Sequence, residues 1–302
     1  MPKRKAKQKT KYESKKSSVV DLLNFDFPKF EGFDNKPSND EKINAWLEKR
    51  RGYFTASKAG AIMSFDFTED EVNQLKGERE SIISQIAESK TGKTKTLESK
   101  LGVIERKIKA SEELPKGAIS VAMGVVIGRL TKFNKARQKP INTPAIAWGN
   151  ACELDAIDCF SKSTGLIVSK TGENQEFIEC EDDGLNGFVG CTPDGIVDIN
   201  GEISGVEIKC PESINHLENL KMKNQDDLLK LHPDYYWQIM MQMMCTGAKT
   251  WHFCSFDPDF RDESKRMIII KVQRDDESIA RLKNRLNRLV SFVLCNLENC
   301  RF

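Results

Sequence analysis

The chain has 302 residues, 39% of them hydrophobic, which suits one large domain or one domain with an insertion. Residues 1–18 hold eight Lys or Arg and one Glu; subtracting this +7 from the total charge of +2 leaves −5 for residues 19–302. With this negative charge, residues 19–302 cannot bind nucleic acid through their overall charge. Binding would have to use local basic patches, helix N-termini, metal ions or the basic arm.

From the sequence we expect neither a membrane span nor a secretory signal. No apolar run approaches the ~20 residues that a membrane span needs, and no apolar core follows the basic start, as it would in a secretory signal. The nine cysteines are odd in number and include no C-x-x-C pair, which indicates reduced thiols in an intracellular protein. An iron–sulfur cluster needs four thiolates, and only Cys295 and Cys300 lie close together. We expect a protein of the host cytosol.

Residues 1–18 are predicted to be a disordered basic arm, and residues 19–302 a single domain. Two functional interpretations of this arm are also kept. One is non-specific contact with phosphates. The other is a nuclear address, through the P-K-R-K-A-K run, if the host is eukaryotic.

The first folded segment carries a candidate phosphate-binding site. The capping residues at 38–42 predict a helix that carries Trp46 on its apolar side. Arg50 and Arg51 follow it, before a glycine turn, and residues 55–57 start a second helix. A hydroxyl at a helix N-terminus beside arginine suits a phosphate. The alternative is that Ser57 only caps its helix.

Residues 68–112 are rich in Glu, Lys and Ser and are predicted to be an inserted helical hairpin that turns at 91–96. The apolar positions of the two helices partly mirror each other: Val72, Leu75, Ile82 and Ile86, then Leu97, Leu101, Ile104 and Ile108. We interpret it as a packing or partner arm rather than a catalytic element. A short buried helix is predicted after it, at 118–130.

A longer helix is predicted at about 145–163, with Glu153 in line with Ile157 and Phe160 on its buried face. A carboxylate on such a face needs a partner, and a metal ion is one. The alternative is a surface glutamate at the edge of the apolar stripe.

The stretch from Phe188 to Pro211 predicts two strands, the first running from Phe188 to Val197, joined by a type I′ turn at Asn200-Gly201. Side chains alternate across a strand, so Glu207 and Lys209 share the face opposite Val206 and Ile208. With Asp194 after a proline, two carboxylates meet beside an ammonium, a set suited to Mg²⁺. The alternative is a surface hairpin with an ordinary ion pair.

The helix predicted at 234–245 is nearly all apolar except for one ridge of Tyr235, Gln238 and Gln242. These buried polar groups are expected to hydrogen-bond either the active site or DNA, or to be satisfied within the core. Strands at 249–256 and 267–272 and an amphipathic helix at 275–297 complete the predicted elements.

These segments, in this order, resemble the phage lambda exonuclease family, the YqaJ-like viral recombinases, within the PD-(D/E)xK nucleases. The motifs that carry the likeness are R-R-G…T-A-S, A-I-A-W-G-N-A-C-E-L-D-A, T-P-D-G…V-E-I-K-C-P, Y-Y-W-Q and F-D-P. The likeness runs from about Glu41 to Val293 and omits residues 68–112. It implies an α/β (α+β) restriction-endonuclease-like core, a central mixed β-sheet flanked by helices, in a single nuclease domain.

The resemblance also implies site residues, position by position. The metal ligands it implies are Asp194, Glu207, Glu153 and the Ile208 carbonyl. The other residues around the chemistry are Lys209 as the catalytic lysine, Gln238 and Tyr235. The implied 5′-phosphate pocket is Arg50, Ser57 and Thr192, the last where a serine is usual. One departure is Asn215 in place of a pocket arginine, for which Arg51 or Lys221 are candidate substitutes.

The activity implied is Mg²⁺-dependent hydrolysis of DNA phosphodiesters, with Mn²⁺ as a substitute ion. The family digests one strand of duplex DNA from its 5′ end and leaves a 3′ overhang for a single-strand annealing partner. It acts as a ring-shaped trimer. The alternatives are an endonuclease of restriction or nicking type on the same core, and a catalytically inactive DNA-binding module.

Overall fold

The structure is a computed structural model that describes residues 46–89, 94–132 and 143–300. The basic arm, the helix start at 38–42 and part of the turn at 91–96 lie outside these residues. In the described ranges, helices pack against two β-sheets. The mixed α/β fold class is therefore confirmed.

The strands of the described ranges are mostly short, and the longest belong to the second half of the chain. They are β1 Phe54–Thr55, β2 Val168–Ser169, β3 Ile178–Glu179, β4 Val189–Cys191, β5 Gly195–Ile199, β6 Glu202–Lys209, β7 Thr250–Phe256 and β8 Met267–Gln273. The smaller sheet has the order β1-β4-β3 and the larger one β2-β5-β6-β7-β8. In the larger sheet only β6 and β7 run parallel, so this sheet is mixed, as predicted.

The helices of the described ranges include those predicted from apolar periodicity and two that were not predicted, at 213–219 and 225–231. They are α1 Ala59–Ile62, α2 Glu69–Glu88, α3 Lys95–Glu112, α4 Lys116–Leu130, α5 Pro144–Thr164, α6 Ser213–Asn219, α7 Gln225–Leu231, α8 Pro233–Thr246 and α9 Asp276–Asn299. Helices α2 and α3 pack on each other, with Leu75 against Ile104 and Ile108. Whether they form an insertion in one domain stays a prediction. No helix in these ranges is long and apolar enough to cross a membrane.

The larger sheet separates two apolar clusters. Trp251 and Phe253 of β7 belong to the cluster that contains α8, α9 and α4, whereas Cys254 belongs to the cluster formed with α5. A Cβ added at Gly205 would lie 2.1 Å from the Trp251 ring, so the indole requires a glycine on the neighbouring strand. Helices on both faces therefore hold β6, with its Glu-x-Lys, at the centre of the molecule.

One detail of the predicted secondary structure is confirmed and two are wrong. Asn200 and Gly201 both have positive φ, 56° and 86°, as a type I′ turn requires. The single strand predicted from 188 to 197 is wrong: β4 lies in the smaller sheet and β5 in the larger. Pro193 separates them because it has no N–H to continue a ladder.

The second error concerns α4, which is not buried all round. Its Ala118, Ala122, Val125 and Val126 are buried, but Met123, Ile127 and Leu130 are exposed. The sequence of α4 is apolar on nearly every side of the helix. Hydrophobic periodicity therefore does not show which side packs against the core.

Candidate active site

The Glu207 carboxylate is at the centre of the candidate site. Strand alternation turns it away from Val206 and towards α8, and the side chain is 1% exposed. Its Oε1 accepts hydrogen bonds from Lys209 Nζ and, at 2.6 Å, from Gln238 Nε2, while its Oε2 accepts from Gln242 Nε2 at 2.7 Å. A carboxylate with these donors is held in one orientation.

Lys209 lies beside Glu207 on the same face of β6. Its Nζ is 5.0 Å from the centroid of the Tyr235 ring, which stacks on Phe253 with centroids 5.7 Å apart. Burial lowers the pKa of Lys209, but the carboxylates of Glu207 and Asp194 outweigh it, so the pKa is raised above its ordinary value. The lysine is therefore a fixed positive charge at neutral pH.

Asp194 precedes β5 and reaches the end of β6. The Ile208 N–H donates to Asp194 Oδ2 at 2.8 Å. Since the N–H and C=O of one strand residue point to the same side, the Ile208 carbonyl lies on the Asp194 side of β6. Burial, then the charge of Glu207, raises the pKa of Asp194 well above its ordinary value.

Glu153 reaches the same cleft from α5. Its side chain is half-buried, and Gln175 Nε2 donates to its Oε1 at 3.0 Å. Burial and the charge of Glu207 raise the pKa of Glu153, while Lys209 lowers it. The structure thus brings Glu153 within electrostatic reach of both β6 residues.

The donor chemistry of this cleft fits a divalent cation. Three carboxylates face one ammonium, a formal excess of negative charge, and the raised pKa values of Asp194 and Glu153 show that their charges are poorly compensated. Oxygen donors of this kind suit hard ions such as Mg²⁺. Within the described residues, no group of three or more His, Cys, Asp or Glu is arranged to hold a metal ion. Asp194 and Glu207 accept hydrogen bonds from Ile208 N and Gln238 Nε2.

Part of the predicted phosphate pocket lies beside the carboxylates. The Arg50 guanidinium packs over the Trp46 ring at 4.1 Å. Burial lowers the pKa of Arg50, while Cys191 and Asp194 are close enough to raise it. The hydroxyl of Thr192, two residues before Asp194, is buried and has no hydrogen-bond partner among the described residues. An arginine and an unpartnered hydroxyl flank the acidic cleft.

The remaining candidates for this pocket are more exposed or are engaged elsewhere. Ser57 is exposed inside a short 3₁₀ turn, 3.2 Å from the Thr55 hydroxyl, and does not cap a helix N-terminus. Arg51 donates to the Gly128 carbonyl at 3.2 Å and to Thr131, so the structure does not bring it to the carboxylates.

Asn215, which stands in place of the pocket arginine, and Lys221, a candidate substitute for it, both lie on the surface. Lys221 pairs with Glu218 at 2.6 Å on the surface, and Asn215 is exposed. Neither has a contact with the carboxylate cleft in the structure.

Sequence reasoning missed one of the amides that hold the carboxylates and left another without an assigned partner. Gln175, which binds Glu153, lies in a loop with no periodic signal. Gln242 was noticed as part of the polar ridge of α8 but was not assigned to the site. Its spacing of one turn from Gln238 was the available signal, since both residues then face the same strand.

A buried hydrogen-bond network behind Tyr235 was also missed. His232 packs on the Tyr235 ring with centroids 4.9 Å apart and contacts Asn219 Oδ1 at 2.6 Å. Asn219 Nδ2 donates to Ser255 Oγ at 2.9 Å, and Ser255 contacts His216 Nδ1 at 2.8 Å. Ser255 pairs with Lys209 in the β6–β7 register, so this network joins the end of β6 to the start of α8.

Two solved structures of an alkaline exonuclease share the fold of this chain. The chain is similar to the alkaline exonuclease LHK-Exo from Laribacter hongkongensis, at 20% identity and a TM-score of 0.56, over 84% of this chain and 94% of that one. LHK-Exo in complex with dAMP gives 21% identity with the same TM-score and coverage. No curated protein matches the chain.

The fold and the carboxylate–lysine cleft together define a nuclease with the restriction-endonuclease-like core. The model of the YqaJ-like viral recombinase domain matches residues 45–249, and the chain belongs to that family. The resemblance drawn from the sequence motifs is therefore confirmed. Proteins of this family act on DNA and generally use divalent metal ions.

Proposed function

We propose that this protein is a Mg²⁺-dependent 5′→3′ exonuclease that acts on linear double-stranded DNA and leaves 3′ overhangs for recombination by strand annealing. The observation that supports it best is the convergence of Glu153, Asp194, Glu207 and Lys209 in one cleft, with Arg50 beside it. The roles of these residues follow from their contacts.

Asp194, Glu207 and Glu153, with the Ile208 carbonyl, would hold the cation. Mg²⁺, or Mn²⁺ in its place, would supply Lewis-acid polarisation of the scissile phosphate and a water of lowered pKa. Lys209 stays protonated beside Glu207 and acts as a fixed donor to the attacking water or to the negative charge that develops on the phosphate. Gln238 keeps Glu207 in its orientation.

The residues beside the carboxylate cleft suit the binding of a terminal phosphate. Arg50 supplies a guanidinium that binds phosphate through two parallel hydrogen bonds, and Thr192 supplies a buried hydroxyl in need of a partner. Ser57 lies at the exposed edge of this pocket. Anchoring a 5′ end here, next to the carboxylates, would favour cleavage from that end over cleavage within the duplex. Tyr235 presents a half-buried ring to the same cleft.

The partners proposed with this activity are double-stranded DNA, a single-strand annealing protein and further copies of the chain in a trimer. We place the protein in the host cytosol. An endonuclease on the same core is the second candidate, and an inactive DNA-binding module the third; the complete set of carboxylates and lysine disfavours the third.

Digestion of end-labelled linear and covalently closed circular duplex, with Mg²⁺ and with EDTA, tests the proposal. We expect loss of linear duplex from its 5′ ends only when Mg²⁺ is present. Cleavage of the closed circle would favour the endonuclease, and no cleavage with Mg²⁺ or Mn²⁺ would favour the inactive module.

A further inference from the structure

Gln242 is the single fully buried amide of α8. Its exposure is 0%, and its neighbours on the helix are Met241 and Met243, both of the apolar core. Its Nε2 donates to Glu207 Oε2 at 2.7 Å, but its Oε1 has no partner among the described residues. An apolar side chain would avoid this unmet carbonyl, so core packing alone does not explain a glutamine at this position.

The hydrogen bond to Glu207 explains why a glutamine occupies position 242. The opposite oxygen, Oε1, is shared between Lys209 and Gln238, which are both half-buried at the edge of the cleft. Gln242 holds Oε2 from the apolar side, where no water competes. An amide also cannot ionise, so it stabilises the charged carboxylate without adding a charge of its own.

We propose that Gln242 is a positioning residue that sets the orientation of the Glu207 carboxylate for the divalent cation. The inference rests on the proposed function and assigns a role to a residue outside the set of ligands. It places the second support of Glu207 one helical turn beyond Gln238, inside the core.

The test uses the full chain with Gln242→Met, which keeps the length of the side chain and removes its donor. Met241→Leu, a fully buried change in the same helix, is the matched control. Three quantities are measured: the Kd for Mn²⁺ without DNA by titration calorimetry, the Mg²⁺ midpoint for digestion of linear duplex, and the Tm without metal.

For Gln242→Met we expect the Mn²⁺ Kd and the Mg²⁺ midpoint to rise at least tenfold, with the rate partly restored at saturating Mg²⁺ and the metal-free Tm within a few degrees of wild type. Met241→Leu should leave both metal constants unchanged. If Gln242→Met had the Mn²⁺ Kd and the Mg²⁺ midpoint of wild type and only a lowered Tm, the proposal would be overturned. A wild-type chain that cleaves nothing would refute the proposed function, while the Mn²⁺ comparison would still decide the role of Gln242.

Discussion

Replacing Lys209 with Met removes the ammonium that faces the three carboxylates. Lys209 contacts Glu207 and lies over the Tyr235 ring, with a side chain that is 24% exposed. Breaking a buried ion pair typically costs about 3–5 kcal/mol. Because Glu207 keeps the amide donors of Gln238 and Gln242, we expect a smaller loss than this, about 2–3 kcal/mol in the metal-free protein. At about 2–4 °C per kcal/mol, the Tm should fall by roughly 4–12 °C.

The effect on catalysis should be much larger than the effect on folding. Loss of a donor aimed at developing charge typically costs about 10²–10³ in rate, so Lys209→Met should digest linear duplex at least 10²-fold more slowly. The rate is measured on end-labelled duplex below the Tm of the variant, and DNA binding by gel shift in EDTA should be retained.

Lys249→Met is the matched control, because Lys249 also pairs with a glutamate of β6, Glu202, at 2.6 Å, but its side chain is 72% exposed. An exposed pair contributes about 0–1 kcal/mol, so neither Tm nor rate should change appreciably. Digestion by Lys209→Met within tenfold of the wild-type rate would refute the role assigned to this lysine.

Arg50→Met should slow digestion of 5′-phosphorylated ends more than of 5′-hydroxyl ends, and equal slowing of the two substrates would count against a phosphate pocket. Thr192→Val should likewise weaken the preference for a 5′-phosphate, yet leave the Tm unchanged or slightly higher, since the Thr192 hydroxyl has no partner to lose; a clear drop in Tm would contradict this. Asp275→Ala should cost about 1 kcal/mol at pH 7, because Asp275 caps α9 through Glu277 N at 3.1 Å and Ser278 N at 3.2 Å. Burial raises the pKa of Asp275, but the Ser278 and Tyr236 hydrogen bonds outweigh it and lower the pKa. The stabilisation is therefore full above the unfolded pKa of about 3.9 and is lost as pH falls through the lower folded value. Urea unfolding of the two proteins at pH 7 and pH 2.5 measures this, and a difference between them that does not shrink from pH 7 to pH 2.5 would contradict the charged carboxylate as its source.

Features that depend on neighbours along the chain could be predicted from the sequence. The two-residue turn at Asn200-Gly201 follows from the positive φ that these residues tolerate, and the shared face of Glu207 and Lys209 follows from strand alternation. The polar ridge of α8 could be found in the same way, because a helix repeats every 3.6 residues. The order of these motifs was enough to indicate the family.

Contacts between distant parts of the chain were decided by the tertiary structure. The sequence placed Glu153 on a helix with two interpretations open, and the packing of α5 against the larger sheet turned it towards Glu207. It assigned Arg50 to the phosphate pocket and named Arg51 as a candidate substitute for a missing arginine. The structure brings Arg50 near Asp194, whereas Arg51 binds the end of α4. Periodicity reports which face of an element is buried, but the partner on that face is chosen by packing of the whole core, which no local pattern contains.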